Sequence, residues 1–194
     1  MPIIAVAALP YIAVSVPPSS GPMPAGGPRP LKLPFDPIEQ AARTWRETFG
    51  PSSAMAAVTS IMRAHQILIA QLDGLLRPYD LTFARYEALV LLTFSRTGAL
   101  PLSKIGERLM VHPTSVTNTV DRLERAGLVR RMRNPKDGRG VLAEITDQGR
   151  EVVRRATADL MDAGFCMGMY EDDELGDMFD LLRTLRVSAG DFSE

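Results

Sequence analysis

The sequence predicts a mainly α-helical chain carrying one small β-hairpin, on three observations. Apolar residues recur at helical spacing over long stretches, as from Val58 to Tyr79 and from Leu175 to Leu185. Two short helical patterns meet at a tight turn between Leu102 and Ala126. Directly after them, LVRRMR and VLAEIT flank NPKDGRG, whose Asn134, Pro135, Gly138 and Gly140 are all turn formers. The 194 residues are 45% apolar and 23% charged, an ordinary globular composition with enough material for one core.

The first 34 residues differ in kind. MPIIAVAALPYIAVSV is apolar, and the following PPSSGPMPAGGPRP is rich in Pro and Gly. No Lys or Arg precedes Arg29, and Pro10 breaks an apolar run too short to span a bilayer, so a secretory signal is not the expectation. Residues 1–34 read as a flexible arm. Met23 offers an alternative start, in which case residues 1–22 are absent from the natural protein; intact mass of the natively expressed chain decides this.

Asp36-Pro37-Ile38-Glu39 is a helix start, with Asp36 as cap, Pro37 at the first position and Glu39 at capping-box spacing. Ile38, Ala42, Trp45 and Phe49 share one face, and Gly50 ends the helix. Ser52 or Ser53 is expected to cap a longer helix with the stripe Val58, Ile61, Met62, His65, Leu68, Ile69, Leu72, Leu75, Leu76 and Tyr79. Thr82 is expected to cap the next, with Leu81 stapled against Tyr86.

In the centre, IGERL places Ile105 and Leu109 one turn apart, and Gly106 lets another helix pack closely. After MVHP, a helix from Pro113 to Ala126 buries Val116, Val120 and Leu123, and Gly127 stops it. Its other face shows Thr114, Ser115, Thr117, Asn118, Asp121 and Arg122. Helix, turn, helix and a basic two-stranded wing make the plan of a winged helix-turn-helix, whose second helix enters the DNA major groove.

After the wing, Thr146 caps a helix expected to run from Asp147 to Met169. A last helix follows, with acids in its first turn and the stripe Leu175, Met178, Phe179, Leu182 and Leu185. The terminal helices cannot bury their stripes on a compact winged helix alone; pairing with a second copy would. The expected organisation is an arm over 1–34, one domain over 35–187 and a tail over 188–194. Within the domain, the winged helix spans about 81–146, and dimerisation helices span about 36–79 and 147–187.

Charge is unevenly placed. Residues 101–140 hold nine Lys/Arg against four acids, net +5, while residues 141–194 hold five against thirteen, net −8. The total of −1 hides a basic middle, and phosphate neutralisation depends on the local patch. One cysteine, Cys166, excludes an internal disulfide and fits a reducing cytoplasm. Two histidines and one cysteine, far apart, make no Cys/His zinc site. No nucleophile elbow, phosphate-cradling Gly loop or metal-ligand spacing is present, so neither an enzyme nor a resident cofactor is expected.

The run from Leu102 to Gly149 resembles the MarR family of bacterial transcription regulators. VDRLERAGLVRR at the end of the second helix carries part of the match. The wing DGRGVLAEITDQG carries the rest: Asp137, one residue, Arg139, five residues, then Ile145-Thr146 and Gly149. The resemblance extends more loosely over about Asp36 to Val187, and LTFARYEALVLLTF is similar to another family helix in which position 85 is often Gln. It implies a homodimer that binds a palindromic operator in double-stranded DNA, with the first and last helices making the dimer.

The expected DNA contacts are His112, Thr114, Ser115, Thr117, Asn118 and Arg122 from the helix and its turn, and Arg133, Lys136, Asp137 and Arg139 from the wing. Short polar side chains near a helix N-terminus reach base edges, and Asn and Arg do so bidentately; the alternative is a solvated face. Arg139 matches the family position that enters the minor groove, where negative potential attracts guanidinium, with Asp137 orienting it. Arg133 and Lys136 suit phosphates. The family's effector pocket implies Trp45, Arg63, His65, Tyr79, Arg85, Tyr86 and Phe94 as effector-binding candidates, near the join of dimer helices and DNA-binding lobe. An arginine at its mouth suits a small anionic effector, an aromatic carboxylate or an acyl-CoA thioester.

The functional expectation is a cytoplasmic, dimeric, sequence-specific repressor relieved by such an effector. Two other readings stay open. One is a winged-helix module for protein contacts without specific DNA binding. The other is a redox-responsive regulator working through Cys166, although a largely apolar helix distant from Arg154 and Arg155 favours an inert, buried thiol.

Overall fold

The Asp36 carboxylate accepts a hydrogen bond from the Ile38 N–H at 2.8 Å, and the first helix begins there. In the computed structural model, residues 31–134 and 140–192 are described. They form α1 (Pro37–Phe49), α2 (Ser53–Leu76), α3 (Phe83–Phe94), β1 (Ala99–Pro101), α4 (Leu102–Leu109), α5 (Pro113–Arg125), β2 (Val129–Arg133), β3 (Val141–Ile145), α6 (Asp147–Asp162) and α7 (Asp172–Ser188). Short 3₁₀ turns occupy Arg77–Tyr79 and Gly164–Cys166. The arm over 1–30 and the wing tip over 135–139, with Lys136, Asp137 and Arg139, lie outside the described residues.

One core joins the second half of α2 to the winged-helix elements. Leu76, Leu89, Leu92, Ile105, Val120, Leu123, Val129 and Leu160 are its largest fully buried side chains. Each contributes about 1.5–3 kcal/mol by leaving water. Leu81 and Tyr86 are both buried in it, as the staple expectation requires. The stripe of α2 therefore divides: Leu68 to Leu76 packs inward, while Val58, Ile61 and Met62 remain exposed.

The sheet has three antiparallel strands in the order β1–β3–β2, not the two of the expected wing. Val129 faces Ile145 and Arg133 faces Val141 across the hairpin, while Ala99 faces Glu144 and Pro101 faces Leu142 on the other edge. Strand β1 is three residues long, too short for alternation to announce it. The hairpin strands themselves fall where their apolar and turn residues place them.

Three capping expectations change. Ser52 makes no cap bond to α2; its buried hydroxyl accepts from Arg46 Nη2 at 3.3 Å. Thr82 makes none to α3, and Asp73 on α2 accepts from the N–H of the first residue, Phe83, at 2.7 Å. Asp36 caps α1, but Glu39 pairs with Arg43 at 3.5 Å, and no reciprocal capping box is formed. The predicted box chemistry appears instead at α7, between Glu171 and Glu174.

Helix α6 ends at Asp162, seven residues short of the expected Met169. Gly164, Phe165 and Cys166 adopt φ of 54°, 49° and 61°, which no right-handed helix accommodates. Cys166 therefore sits on a 3₁₀ turn, half-buried beside the core rather than along a helix face.

At the start of α6, Thr146 Oγ1 accepts from the Gly149 N–H at 3.0 Å and donates to the Gly127 carbonyl at 2.8 Å. A Cβ at position 149 would lie 2.2 Å from the Leu128 carbonyl oxygen. The Thr-x-x-Gly spacing of the wing motif is thus a packing device: it seats α6 directly on the turn that leaves α5.

Candidate nucleic-acid interface

Helices α4 and α5 cross at Gly106, where a Cβ would meet Val116 Cγ2 at 3.2 Å and the Val111 carbonyl at 3.3 Å. Met110 closes α4 in the left-handed region at φ 54°, and the Val111 N–H bonds back to the Gly106 carbonyl at 3.1 Å. His112 then serves as N-cap of α5: its Nδ1 accepts from the Thr114 N–H at 3.3 Å. In the neutral ring this leaves the proton on Nε2.

Val116, Val120 and Leu123 fix α5 against the core, which decides what its other side offers. His112, Thr114, Ser115, Thr117, Asn118 and Arg122 are all exposed there. Thr117 Oγ1 donates to the Pro113 carbonyl at 3.2 Å. Asn118, Asp121, Arg122 and Arg125 border one hollow of about 310 Å³. Arg125 was not among the expected contacts; its position three residues after Arg122 and seven after Asn118 is the signal that places it on that face.

The acids of α5 are held by the wing. Arg131 pairs with Asp121 and, through Nη1, with Glu124 at 2.6 Å, while its backbone N–H donates to Glu124 at 3.0 Å. These bonds hold the Glu124 carboxyl below its ordinary range. Arg130 pairs with Glu144 in the same way and lowers that carboxyl too. Two of the hairpin's arginines are therefore structural. Arg133 is exposed at the wing base, where the Asn134 N–H reaches the Gly140 carbonyl at 2.9 Å.

The seven effector candidates fall in separate places within one chain. Trp45 leans on Phe49, with ring centroids 5.0 Å apart. Arg63 donates to Gln66 at 3.2 Å and borders a groove under the 31–38 segment; His65 is exposed farther along α2. Tyr79 donates to Asp159 at 2.5 Å, which holds its hydroxyl above its ordinary value, with Arg155 over the ring. Tyr86 is buried, its hydroxyl 2.9 Å from that of Thr157, and Phe94 is 79% exposed. Arg85 lies elsewhere, in a cleft with Asn118 and Arg122.

The fold has counterparts among known proteins. The MarR family model matches residues 84–141. The crystal structure of Sco5413, a MarR family transcriptional regulator from Streptomyces coelicolor, is 65% identical with a TM-score of 0.67; the match covers 73% of this chain and 98% of that one. The chain belongs to the MarR family. Another MarR family regulator from S. coelicolor, Sco3205, solved in complex with DNA, is 25% identical over 70% of this chain and 90% of its own, with a TM-score of 0.65. YhbI, an HTH-type transcriptional regulator of Bacillus subtilis, is 32% identical over 52% of this chain, which spans 62% of the length of YhbI.

As a MarR-family chain it is a DNA-binding transcriptional regulator and not an enzyme. The second helix of its winged helix-turn-helix is α5, and the wing is the hairpin of β2 and β3. Among the described residues no helix is long and apolar enough to cross a membrane.

Proposed function

We propose that two copies of this chain, joined through α1 and α7, hold their α5 helices in successive major grooves of a palindromic operator and repress by occupying it. One observation carries this reading. The exposed side of α5 offers short polar and cationic groups, while its two acids are turned to Arg131. Thr114, Ser115, Thr117 and Asn118 then face base edges, and Arg122 and His112 Nε2 suit phosphates. Arg133, Lys136, Asp137 and Arg139 keep the roles that the wing motif gives them.

Dimerisation is supported by apolar surface. No residue of α7 is buried, and Phe179, Leu181 and Leu185 are 58%, 76% and 57% exposed. Trp45 and Phe49 on α1 add to it. Clustered exposed apolar side chains favour a partner surface, and a two-fold pairing would cover both copies at once. The domain so used runs over about 35–187, with an arm before it and a short tail after. A small anionic effector between the dimer helices and the DNA-binding lobe would change the separation of the two α5 helices. Arg63, which borders the groove under the 31–38 segment, and the exposed His65 are the polar candidates on α2 for it. By linkage, an effector that weakens DNA binding binds the DNA complex less tightly.

Genomic footprinting of the purified protein, with its mass measured in solution, tests the reading. A dimer that protects discrete fragments against bulk competitor is the expected result. A monomer without sequence preference overturns it and leaves the protein-contact module.

A further inference from the structure

We propose that Arg85, on the first turn of α3, is a DNA-phosphate contact that works together with Arg122. This rests on the DNA-binding reading above and names a residue outside α5 and the wing. Arg85 shares a cleft of about 400 Å³ with Thr82, Asn118, Thr119 and Arg122. Two guanidinium groups from two different helices thus border one space. The hollow formed by Asn118, Asp121, Arg122 and Arg125 shares Asn118 and Arg122 with it. An occupant that runs through both spaces is extended and repeatedly anionic, as a DNA strand is.

The local structure aims Arg85 for that role. Asp80 turns the chain in the left-handed region, φ 53°, and its carbonyl accepts from Arg85 Nη1 at 2.7 Å. That bond is to a neutral group, so it orients the guanidinium without cancelling its charge, and other donors of the fork stay open to a second partner. Thr82 makes no side-chain cap bond to α3, and it borders the cleft. The nearest acid of α5, Asp121, is paired with Arg131.

A phosphate contact has a signature that a purely structural arginine lacks. Each neutralised phosphate contributes about 0.9 to the slope of log affinity against log salt. In the full-length dimer, Arg85→Gln is expected to make that slope shallower by about 1.8, one contact per protomer. The loss should be similar on the fragment that wild-type protein protects and on a random-sequence duplex of about three helical turns. Arg85→Lys should keep the slope, because it keeps the charge. Thermal melting of both variants identifies any that fails to fold, and the Lys variant then carries the comparison alone. An unchanged slope in a folded Gln variant, or a lost slope in a folded Lys variant, overturns the proposal. So does a loss confined to the protected fragment, which would make Arg85 a base reader. Wild-type protein that prefers no fragment sinks the DNA-binding reading itself, a distinct result.

Discussion

Arg131 on β2 holds Glu124 of α5 twice, its backbone N–H donating to Oε1 at 3.0 Å and its guanidinium to Oε2 at 2.6 Å. The same side chain reaches Asp121 one turn back. Strand β2 and helix α5 are therefore locked in a fixed relation. Pre-organisation of this kind lowers the ordering cost of binding.

That lock makes stability depend on acid in a defined direction. The folded Glu124 carboxyl lies below its ordinary value of 4.5, so its contribution is complete above that value and is lost as pH falls through the lowered one. Glu144, held by Arg130, acts in the same sense. Urea midpoints at fixed protomer concentration should fall as pH drops below the ordinary carboxyl value of 4.5. Arg131→Ala should lower the midpoint at neutral pH and flatten the Glu124 part of that fall. An equal acid dependence in variant and wild type would show that the pair contributes nothing.

Gly149→Ala pits two effects of known sign against each other. Alanine favours a helix over glycine by about 1 kcal/mol. Against it, the added Cβ would sit 2.2 Å from the Leu128 carbonyl oxygen and 2.8 Å from Ile145 Cγ1. A backbone carbonyl cannot swing away as a side-chain end can, so overpacking of about 1–3 kcal/mol should win. The expected outcome is a melting temperature several degrees lower. A variant as stable as wild type would mean that α6 can slide off the α5 turn.

The sequence announced elements whose signals are local and missed those decided across the fold. Asp36-Pro37, the α5 stripe, Gly127 and the Thr146 cap are complete within a few residues, and the structure agrees with each. Strand β1 exists because β3 offers it an edge. Ser52 and Thr82 look like caps, but Ser52 accepts from Arg46 on α1 and the start of α3 is held by Asp73 on α2. Apolar spacing continues past Asp162 to Met167, whereas Phe165 and Cys166 turn left-handed, which residue type does not foretell. In the candidate site, the resembled family's pocket groups Arg85 with Tyr86, whereas Arg85 borders the cleft with Asn118 and Arg122. One helical step of about 100° separates the buried tyrosine from the cleft beside α5.

Cys166 should be a slow thiol. Burial pushes it above its ordinary value of 9.0, so the reactive thiolate is scarce at neutral pH. Alkylation by iodoacetamide should be slower than for an exposed cysteine peptide and rise about tenfold per pH unit up to that raised value. Cys166→Ser should leave DNA binding and any response to peroxide unchanged. Loss of such a response in this variant would establish the redox reading instead.

The exposed stripe of α7 gives a sharp test of assembly. Leu185→Glu places a charge where two copies are proposed to meet, and desolvating it there is costly. Sedimentation should show a monomer with unchanged helical content, since Leu185 is 57% exposed within one chain. Operator affinity should collapse to that of a single half-site. A persistent dimer would place the interface elsewhere.

Asn118 and Arg122 should separate by what they read. They lie one helical turn apart on the exposed side of α5 and border the same two hollows. Asn118 offers an amide that pairs bidentately with adenine, worth about 1–3 kcal/mol of discrimination. Asn118→Ala should therefore relax base preference at one position of each half-site and leave the salt slope unchanged. Arg122 carries a charge and shares these hollows with Arg85 and Arg125, cations that suit the backbone. Arg122→Ala should weaken binding to protected and random duplexes alike and make the salt slope shallower. Selection from a randomised half-site library, repeated at two salt concentrations, measures both quantities. If both variants change base preference alike, the two residues read bases together and the backbone role passes from Arg122 to its neighbours.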